Sequence, residues 1–179
     1  MAVKESAIIK ELNHYLLGHP DETTATMPLF DALLDHSRQG LCLHHGSCPV
    51  VRAGAILMDE QGRALALRYG DAWGFAEGAP DPSDQSLSRT ATRVLEEFAG
   101  VQNVWTAPGE EGPILVDTSP AAPEDGRRVR YGFRYLFRTH SRVLVPAMAA
   151  LGRARWTSVD EIGPPLLRTR LQDRLAVSR

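Results

Sequence analysis

Three carboxylates lie close together along the chain, in a segment where a loop is followed by a helical pattern. Glu77 and Asp84 belong to the loop, and Glu97 belongs to the helical part. Carboxylate oxygens are the ligands that Mg²⁺ prefers, and this ion often uses only one or two of them together with substrate phosphates. Glu97 with Asp84 or Glu77 is therefore a candidate site for a single Mg²⁺ ion on a phosphorylated substrate.

The surroundings of Glu97 leave two further interpretations open. Val94 and Phe98 flank it at helical spacing, and apolar neighbours raise the pKa of a carboxyl group. An acid tuned in this way transfers protons without a metal, and Glu77 would be the second proton-transfer group. The other interpretation is structural: Glu97 forms an ion pair with Arg93, four residues earlier, on a solvated helix face.

Arginines and aromatic residues supply the candidate contacts with a substrate. Arg130 and Arg134 share the polar face of a strand over residues 129–137, where they either receive an anionic group or remain exposed cations. Trp73 and Phe98 are the candidate aromatic contacts. Trp73 fits the core equally well, and the sequence does not separate these alternatives.

A short segment containing two cysteines and two histidines invites a zinc hypothesis. Its members are Cys42, His44, His45 and Cys48. Their spacing matches none of the familiar four-ligand patterns, and no second pair follows nearby. We therefore expect a turn before the first strand, with reduced thiols.

Hydrophobic spacing predicts helices at both ends of the chain and one in the middle. The first two form an amino-terminal helical pair, and Pro28 is tolerable only in the first turn of the second helix. The third helix follows Ser86 and ends at Gly100. The four predicted helices cover residues 4–18, 21–40 or 24–40, 86–100 and 166–177.

Alternating and continuous apolar runs predict five strands between these helices. Residues 59–62 form the turn between the first two. Two stretches rich in Gly, Pro, Asp and Ser, residues 74–86 and 118–127, are expected to be irregular. The predicted strands cover residues 50–58, 64–68, 114–117, 129–137 and 154–157.

The segment over residues 73–101, WGFAEGAPDPSDQSLSRTATRVLEEFAGV, resembles the Nudix box. That signature has a glycine, five residues, an acid, seven residues, and then Arg-Glu-apolar-any-Glu-Glu-any-Gly-apolar. A hairpin precedes the segment, and residues 155–162 resemble the closing Trp and Asp-Glu element of many relatives, so the resemblance covers residues 48–165. With one extra residue between the two halves, the matching positions are Gly78, Asp84, Arg93, Leu95, Glu97, Gly100 and Val101.

The resemblance implies an α+β fold, a Nudix-like α/β/α sandwich around a mixed β-sheet. Residues 1–45 would be an amino-terminal helical extension and residues 46–179 the Nudix-like domain. The inherited activity would be hydrolysis of a phosphoanhydride in a small anionic or nucleotide-like metabolite. Mg²⁺ would bridge the diphosphate and position the attacking water.

The sequence departs from the family where that chemistry is done. Val94 and Phe98 stand at two of the three acidic helix positions, Ala79 replaces the second glycine of the loop, and Glu77 replaces a proline. Because a standard multi-metal centre cannot be built from these residues, Mg²⁺ is doubtful as a cofactor. Three functions stay open: a diverged hydrolase, a metal-independent isomerase, cyclase or lyase that uses Glu97, and a non-catalytic ligand-binding module.

Composition limits the classes of partner. The 179 residues are 43% hydrophobic with a formal charge of −2, and no apolar run approaches the about 20 residues that cross a bilayer. The terminus lacks a secretory pattern, so we expect a cytoplasmic protein with no membrane partner. Residues 127–179 hold 12 arginines and three acids, spread without a nucleic-acid-reading motif. We expect a small-molecule substrate and no nucleic acid, with a homodimer left open.

Overall fold

The computed structural model describes residues 3–39, 48–140 and 151–177. In these ranges the chain forms four α-helices, close to the predicted bounds. Ser86 caps the third helix by accepting a hydrogen bond from the backbone N–H of Arg89, and Gly100 ends it in the left-handed conformation at φ 67°. The helices are α1 (Glu5–Gly18), α2 (Thr23–Gln39), α3 (Leu87–Ala99) and α4 (Pro165–Val177).

Seven strands lie in the described residues, and all five predicted strands are among them. The predicted turn between the first two is built around Asp59, whose carboxylate accepts hydrogen bonds from the backbone N–H groups of Gln61 and Arg63. The strands are β1 (Val50–Met58), β2 (Arg63–Tyr69), β3 (Ala72–Gly74), β4 (Ala76–Gly78), β5 (Pro113–Pro120), β6 (Val129–Arg138) and β7 (Ala154–Ser158).

The strands form one mixed sheet with β1 at its centre. β1 runs parallel to β6 along its whole length, and β5 is antiparallel to β6. β1 and β2 pair beside their turn, where Met58 lies opposite Ala64. Further along, β4 pairs with β1, while β3 and β7 pair with β2. The sheet thus has two groups of strands, which meet at the β1–β2 hairpin. One group is β4, β5 and β6 on the side of β1, and the other is β3 and β7 on the side of β2.

Each face of the sheet carries its own layer of helices. Alternate residues of β6, including Tyr131, Phe133 and Tyr135, join the larger core, to which α1, α2 and α3 contribute. Leu136 points to the other face and joins a smaller core with Leu171 of α4. The expected α+β sandwich around a mixed sheet is therefore confirmed, as is the division of β6 into an apolar and a largely cationic face.

Two predicted loops contain more regular structure than expected. Within residues 74–86, β4 pairs with β1, with Glu77 opposite Gly54. Within residues 118–127, β5 continues to Pro120 because Ser119 and Pro120 find partners on β6. Tertiary pairing supplied hydrogen bonds that local composition did not predict.

The structure also bears on the expectations for Pro28, for the cysteines and for a membrane span. Pro28 lies in the second turn of α2 and not in the first. Cys48 is disulfide-bonded, so the expectation of reduced thiols is wrong, whereas Cys42, His44 and His45 lie outside the described residues. None of the described helices is long and apolar enough to cross a membrane.

Candidate functional site

A cavity of about 430 Å³ lies on the face of the sheet that also carries α4. Strands from both groups contribute to it, together with the segment that leads into α4. Its size falls in the range of small-molecule sites. The side chains that define its chemistry are Tyr69, Trp73, Phe75, Glu77, Asp117, Arg130, Arg134, Arg155, Thr157 and Glu161.

Arg134 lies at the floor of this cavity and is only 9% exposed. Its Nε donates to Oδ2 of Asp117 at 2.6 Å, and its Nη1 forms an ion pair with Glu77. Burial alone lowers the pKa of a guanidinium, but Asp117 and Glu77 outweigh that effect and raise the pKa of Arg134. The floor therefore carries a permanent cation between two carboxylates.

Two glycines make room for this side chain. A Cβ atom at Gly54 would lie 2.7 Å from Nη1 of Arg134, and a Cβ atom at Gly132 would lie 2.8 Å from Oδ1 of Asp117. Any larger residue at either position would displace the pair. The sheet is thus shaped to hold Arg134 flat against its surface.

Arg130 completes a network of four charges with the same two carboxylates. Its Nη1 donates to Glu77 at 2.5 Å, its Nη2 to Asp117 at 3.4 Å, and its Nε to the hydroxyl of Ser119 at 2.9 Å. We call Glu77, Asp117, Arg130 and Arg134 the floor network. Two positive and two negative charges balance within it, so the floor has no net charge.

Aromatic side chains form the wall towards the mouth of the cavity. Trp73 is 38% exposed, and the guanidinium of Arg155 lies 4.4 Å from the centre of its ring. The hydroxyl of Tyr69 donates to the backbone oxygen of Phe75 at 3.1 Å. Burial, aided by the nearby charge of Glu77, raises the pKa of Tyr69, so this phenol stays neutral at physiological pH.

The loop and α3 carry the remaining predicted carboxylates, Asp84 and Glu97. Arg93 forms an ion pair with each of them. Its Nε and Nη2 donate to the two oxygens of Asp84 at 3.1 and 2.9 Å, and Nη2 also donates to the backbone oxygen of Ala79. Its Nη1 donates to Oε1 of Glu97 at 2.9 Å. One guanidinium thus joins the loop to the helix.

Asp84 is buried and heavily hydrogen-bonded. Burial raises its pKa, but hydrogen bonds from Arg93, the N–H of Asp81 and the hydroxyl of Thr90 outweigh burial and lower the pKa below its ordinary value. The carboxylate accepts from Asp81 and Thr90 at 2.8 Å each. Asp84 is therefore a structural anchor of the loop.

Glu97 lies away from the cavity floor, on an exposed face. Its side chain is 54% exposed, and it lines a separate groove with Phe98 and Tyr69. The ring of Phe98 packs edge-on against Tyr69 with centroids 6.1 Å apart. Val94 points the other way, into the core beneath Gly78. The apolar side chain predicted to flank Glu97 on one side is thus buried elsewhere.

These residues do not fit the magnesium centre that the sequence resemblance implies. Asp84 and Glu97 are both committed to Arg93, a cation that would repel a second one, and Val94 and Phe98 offer no oxygen. Nowhere in the described ranges do three Asp, Glu, His or Cys side chains cluster as a metal site would require.

The structure brings together only part of the predicted set. Glu77, Arg130, Arg134 and Trp73 line one cavity, whereas Glu97 and Asp84 lie on α3 and its loop. Sequence reasoning missed Asp117 and Arg155 as cavity residues. Asp117 is the last residue of a predicted strand, and nothing in its local sequence indicated a cavity. Arg155 directly precedes the Trp of the closing element, and that position could have indicated that it lies near the site.

Comparisons with known proteins identify the fold. No protein-family model matches the sequence, and no curated protein matches it. Among solved structures, an Ap4A hydrolase from C. elegans has a TM-score of 0.55 at 14% identity, over 73% of this chain and 98% of that chain. NrtR from Shewanella oneidensis has a TM-score of 0.53 at 16% identity, over 72% of this chain.

The alignment spans only 64% of the NrtR chain. A Nudix hydrolase from Nitrosomonas europaea also matches, at 19% identity over 73% of this chain and 91% of that chain, with a TM-score of 0.44. The Ap4A hydrolase and NrtR share the sandwich described above, so the expected Nudix-like fold is confirmed. At such identities the likeness establishes the fold alone.

Proposed function

We propose that this protein binds a small anionic, nucleotide-like metabolite in the cavity above the floor network, and that it needs no Mg²⁺ ion on α3 to do so. One observation carries the proposal. Aromatic side chains and a fully hydrogen-bonded set of carboxylates and guanidinium groups converge on one cavity of about 430 Å³. Such a combination of stacking surface and polar edges suits a planar heterocycle.

The position of Arg93 argues against metal-dependent turnover as the main activity. It holds Asp84 and Glu97 at 2.9 Å each, so a metal ion would have to displace a guanidinium with several hydrogen bonds. Hydrolysis of a phosphoanhydride is the second candidate, because the fold is shared with an Ap4A hydrolase. Acid–base chemistry by Glu97 finds no support in its exposed position outside the cavity.

Binding can be tested with a panel of probes: AMP, ADP-ribose and diadenosine tetraphosphate. We expect at least one probe to bind by calorimetry and to raise the thermal midpoint, equally with Mg²⁺ and with EDTA. Trp73→Ala should abolish binding because it removes the aromatic wall. Trp105→Ala is the matched control, since Trp105 is similarly exposed at 43% and lies outside the cavity.

Cleavage of the phosphoanhydride bonds of ADP-ribose and diadenosine tetraphosphate, followed by chromatography of the nucleotide products, separates the two candidates. Cleavage that requires Mg²⁺ and disappears in Glu97→Gln would establish the hydrolase and overturn the proposal. Absence of binding to the entire panel would also refute it. The cytoplasmic location and the homodimer remain predictions, which fractionation and light scattering would test.

A further inference from the structure

Arg155 differs from the other cavity arginines in how loosely it is held. Its Nη2 lies 4.0 Å from Oε2 of Glu161, at the limit of an ion pair, and both side chains are at least half exposed. The same carboxylate oxygen already accepts a hydrogen bond from the hydroxyl of Thr157 at 2.8 Å. Ion pairs of this kind contribute little to stability.

The floor arginines are held much more tightly. Arg134 and Arg130 each contact both Glu77 and Asp117, and the floor network has no net charge. An anionic group placed there would have to displace a carboxylate and would meet a second one nearby. The floor network therefore suits the polar edge of a neutral ring better than a phosphate or a carboxylate.

We propose that Arg155, stacked on Trp73 at the mouth of the cavity, is the residue that selects for an anionic group on the ligand. This inference rests on the proposed function, and it reassigns anion recognition from the floor arginines to the mouth. The planar ring of the ligand takes the face of Trp73 that Arg155 now covers at 4.4 Å. The released guanidinium then donates two N–H groups to the anion.

The exposure of the two groups supports this exchange. Trp73 is 38% exposed, and the side chain of Arg155 is 50% exposed, so neither is fixed by core packing. A guanidinium on an exposed aromatic face is a weak contact that a stacking ring replaces at low cost. The exchange makes the cationic fork available only when a ring is bound.

The test compares AMP with adenosine, which differ by one anionic group. We expect wild-type protein to bind AMP at least about tenfold more tightly than adenosine, as one charged hydrogen-bonding pair would produce. Arg155→Gln should remove that preference and leave adenosine binding unchanged. Arg155→Lys should restore part of it, because the charge returns without the fork.

Arg153→Gln is the matched control. Arg153 is exposed two residues earlier, outside the cavity lining, and its contact with β2 uses its backbone oxygen. This variant should keep the wild-type preference. The AMP preference should also weaken as salt rises in wild-type protein and not in Arg155→Gln.

Each outcome has a distinct meaning. If Arg155→Gln keeps the AMP preference, or if wild-type protein binds both probes equally, the role of Arg155 is refuted while ligand binding in the cavity stands. If wild-type protein binds neither probe nor any other member of the panel, the proposed function itself fails. Loss of preference in Arg153→Gln would show a general charge effect and would also overturn the inference.

Discussion

At the scale of single residues, Arg93 decides what the carboxylates of the loop and α3 can do. It reaches a buried acid, an exposed acid and a backbone oxygen at once. Asp84 is nearly inaccessible and would be left with an uncompensated charge if Arg93 were removed. Glu97 is half exposed, so water would replace its partner.

This contrast predicts different costs for two substitutions. Arg93→Leu should lower the free energy of unfolding by about 2 to 4 kcal/mol, because Asp84 and the oxygen of Ala79 lose their donor. Glu97→Gln should change it by no more than about 0.5 kcal/mol, as for an exposed pair one helical turn apart. Urea unfolding of both variants measures the difference. Equal costs would mean that Glu97 and not Asp84 is the principal partner.

At the scale of elements, the contact between β4 and α3 locks the loop against the helix. A Cβ atom at Gly78 would lie 2.5 Å from Cγ1 of Val94, which is 1% exposed. Val94 thus packs directly beneath the strand that carries Glu77. Val94, one of the residues that depart from the Nudix signature, is thus part of the core that positions Glu77 of the floor network.

The close approach makes these two positions energetically coupled. Gly78→Ala should cost about 1 to 3 kcal/mol by overpacking. Combined with Val94→Ala, which vacates the space, its cost should fall by at least about 0.5 kcal/mol in a double-mutant cycle. Gly18→Ala, where no atom lies within 4 Å of the new Cβ, is the neutral control. Strict additivity of the pair would contradict the packing argument.

At the scale of the whole molecule, polar contacts between distant segments hold the amino-terminal helices to the rest of the fold. Arg170 of α4 donates to Tyr15 of α1 and to the backbone oxygen of Ile114, and pairs with Glu22. Burial and the bond to Glu22 raise the pKa of Tyr15 to about 12. Arg170, near one end of the chain, is thus paired with Glu22, near the other.

Glu11 makes the attachment of α1 depend on pH. It accepts hydrogen bonds from the hydroxyl of Tyr135 and from the backbone N–H of Leu87, so it joins α1 to β6 and to the start of α3. Burial raises the pKa of Glu11 above its ordinary value of 4.5 more than these two bonds lower it. The folded state therefore binds this proton more tightly than the unfolded state does.

The sign of the effect follows from that difference. The contribution of Glu11 to stability is complete below about pH 4.5 and is lost as pH rises through the higher pKa of the folded state. We expect Glu11→Gln, which cannot ionise, to gain stability relative to wild type as pH increases over that window. Thermal melts at several pH values measure the gap. A gap that does not change with pH would refute the linkage.

Local sequence patterns were sufficient to predict most of the helices and strands, and also the alternation of apolar and polar residues along β6. Helix caps such as Ser86 and Gly100, the turn at Asp59 and the period-two run of aromatic residues act within a few residues, so they can be read from the chain itself. The boundary between residues 45 and 46 as a division into domains is still a prediction. The helices before it share one apolar core with the sheet.

The partners of the charged side chains were decided only by tertiary structure. Glu77 meets Arg130 across 53 residues, and Arg134 meets Asp117 across 17, because β4 and β5 flank the parallel pair of β1 and β6. The sequence by itself determined the four described helices, five of the seven described strands and the loss of two acidic positions on α3. Only the folded chain decided that the remaining acids there would bind an arginine, since an ion pair depends on distances that chain order does not contain.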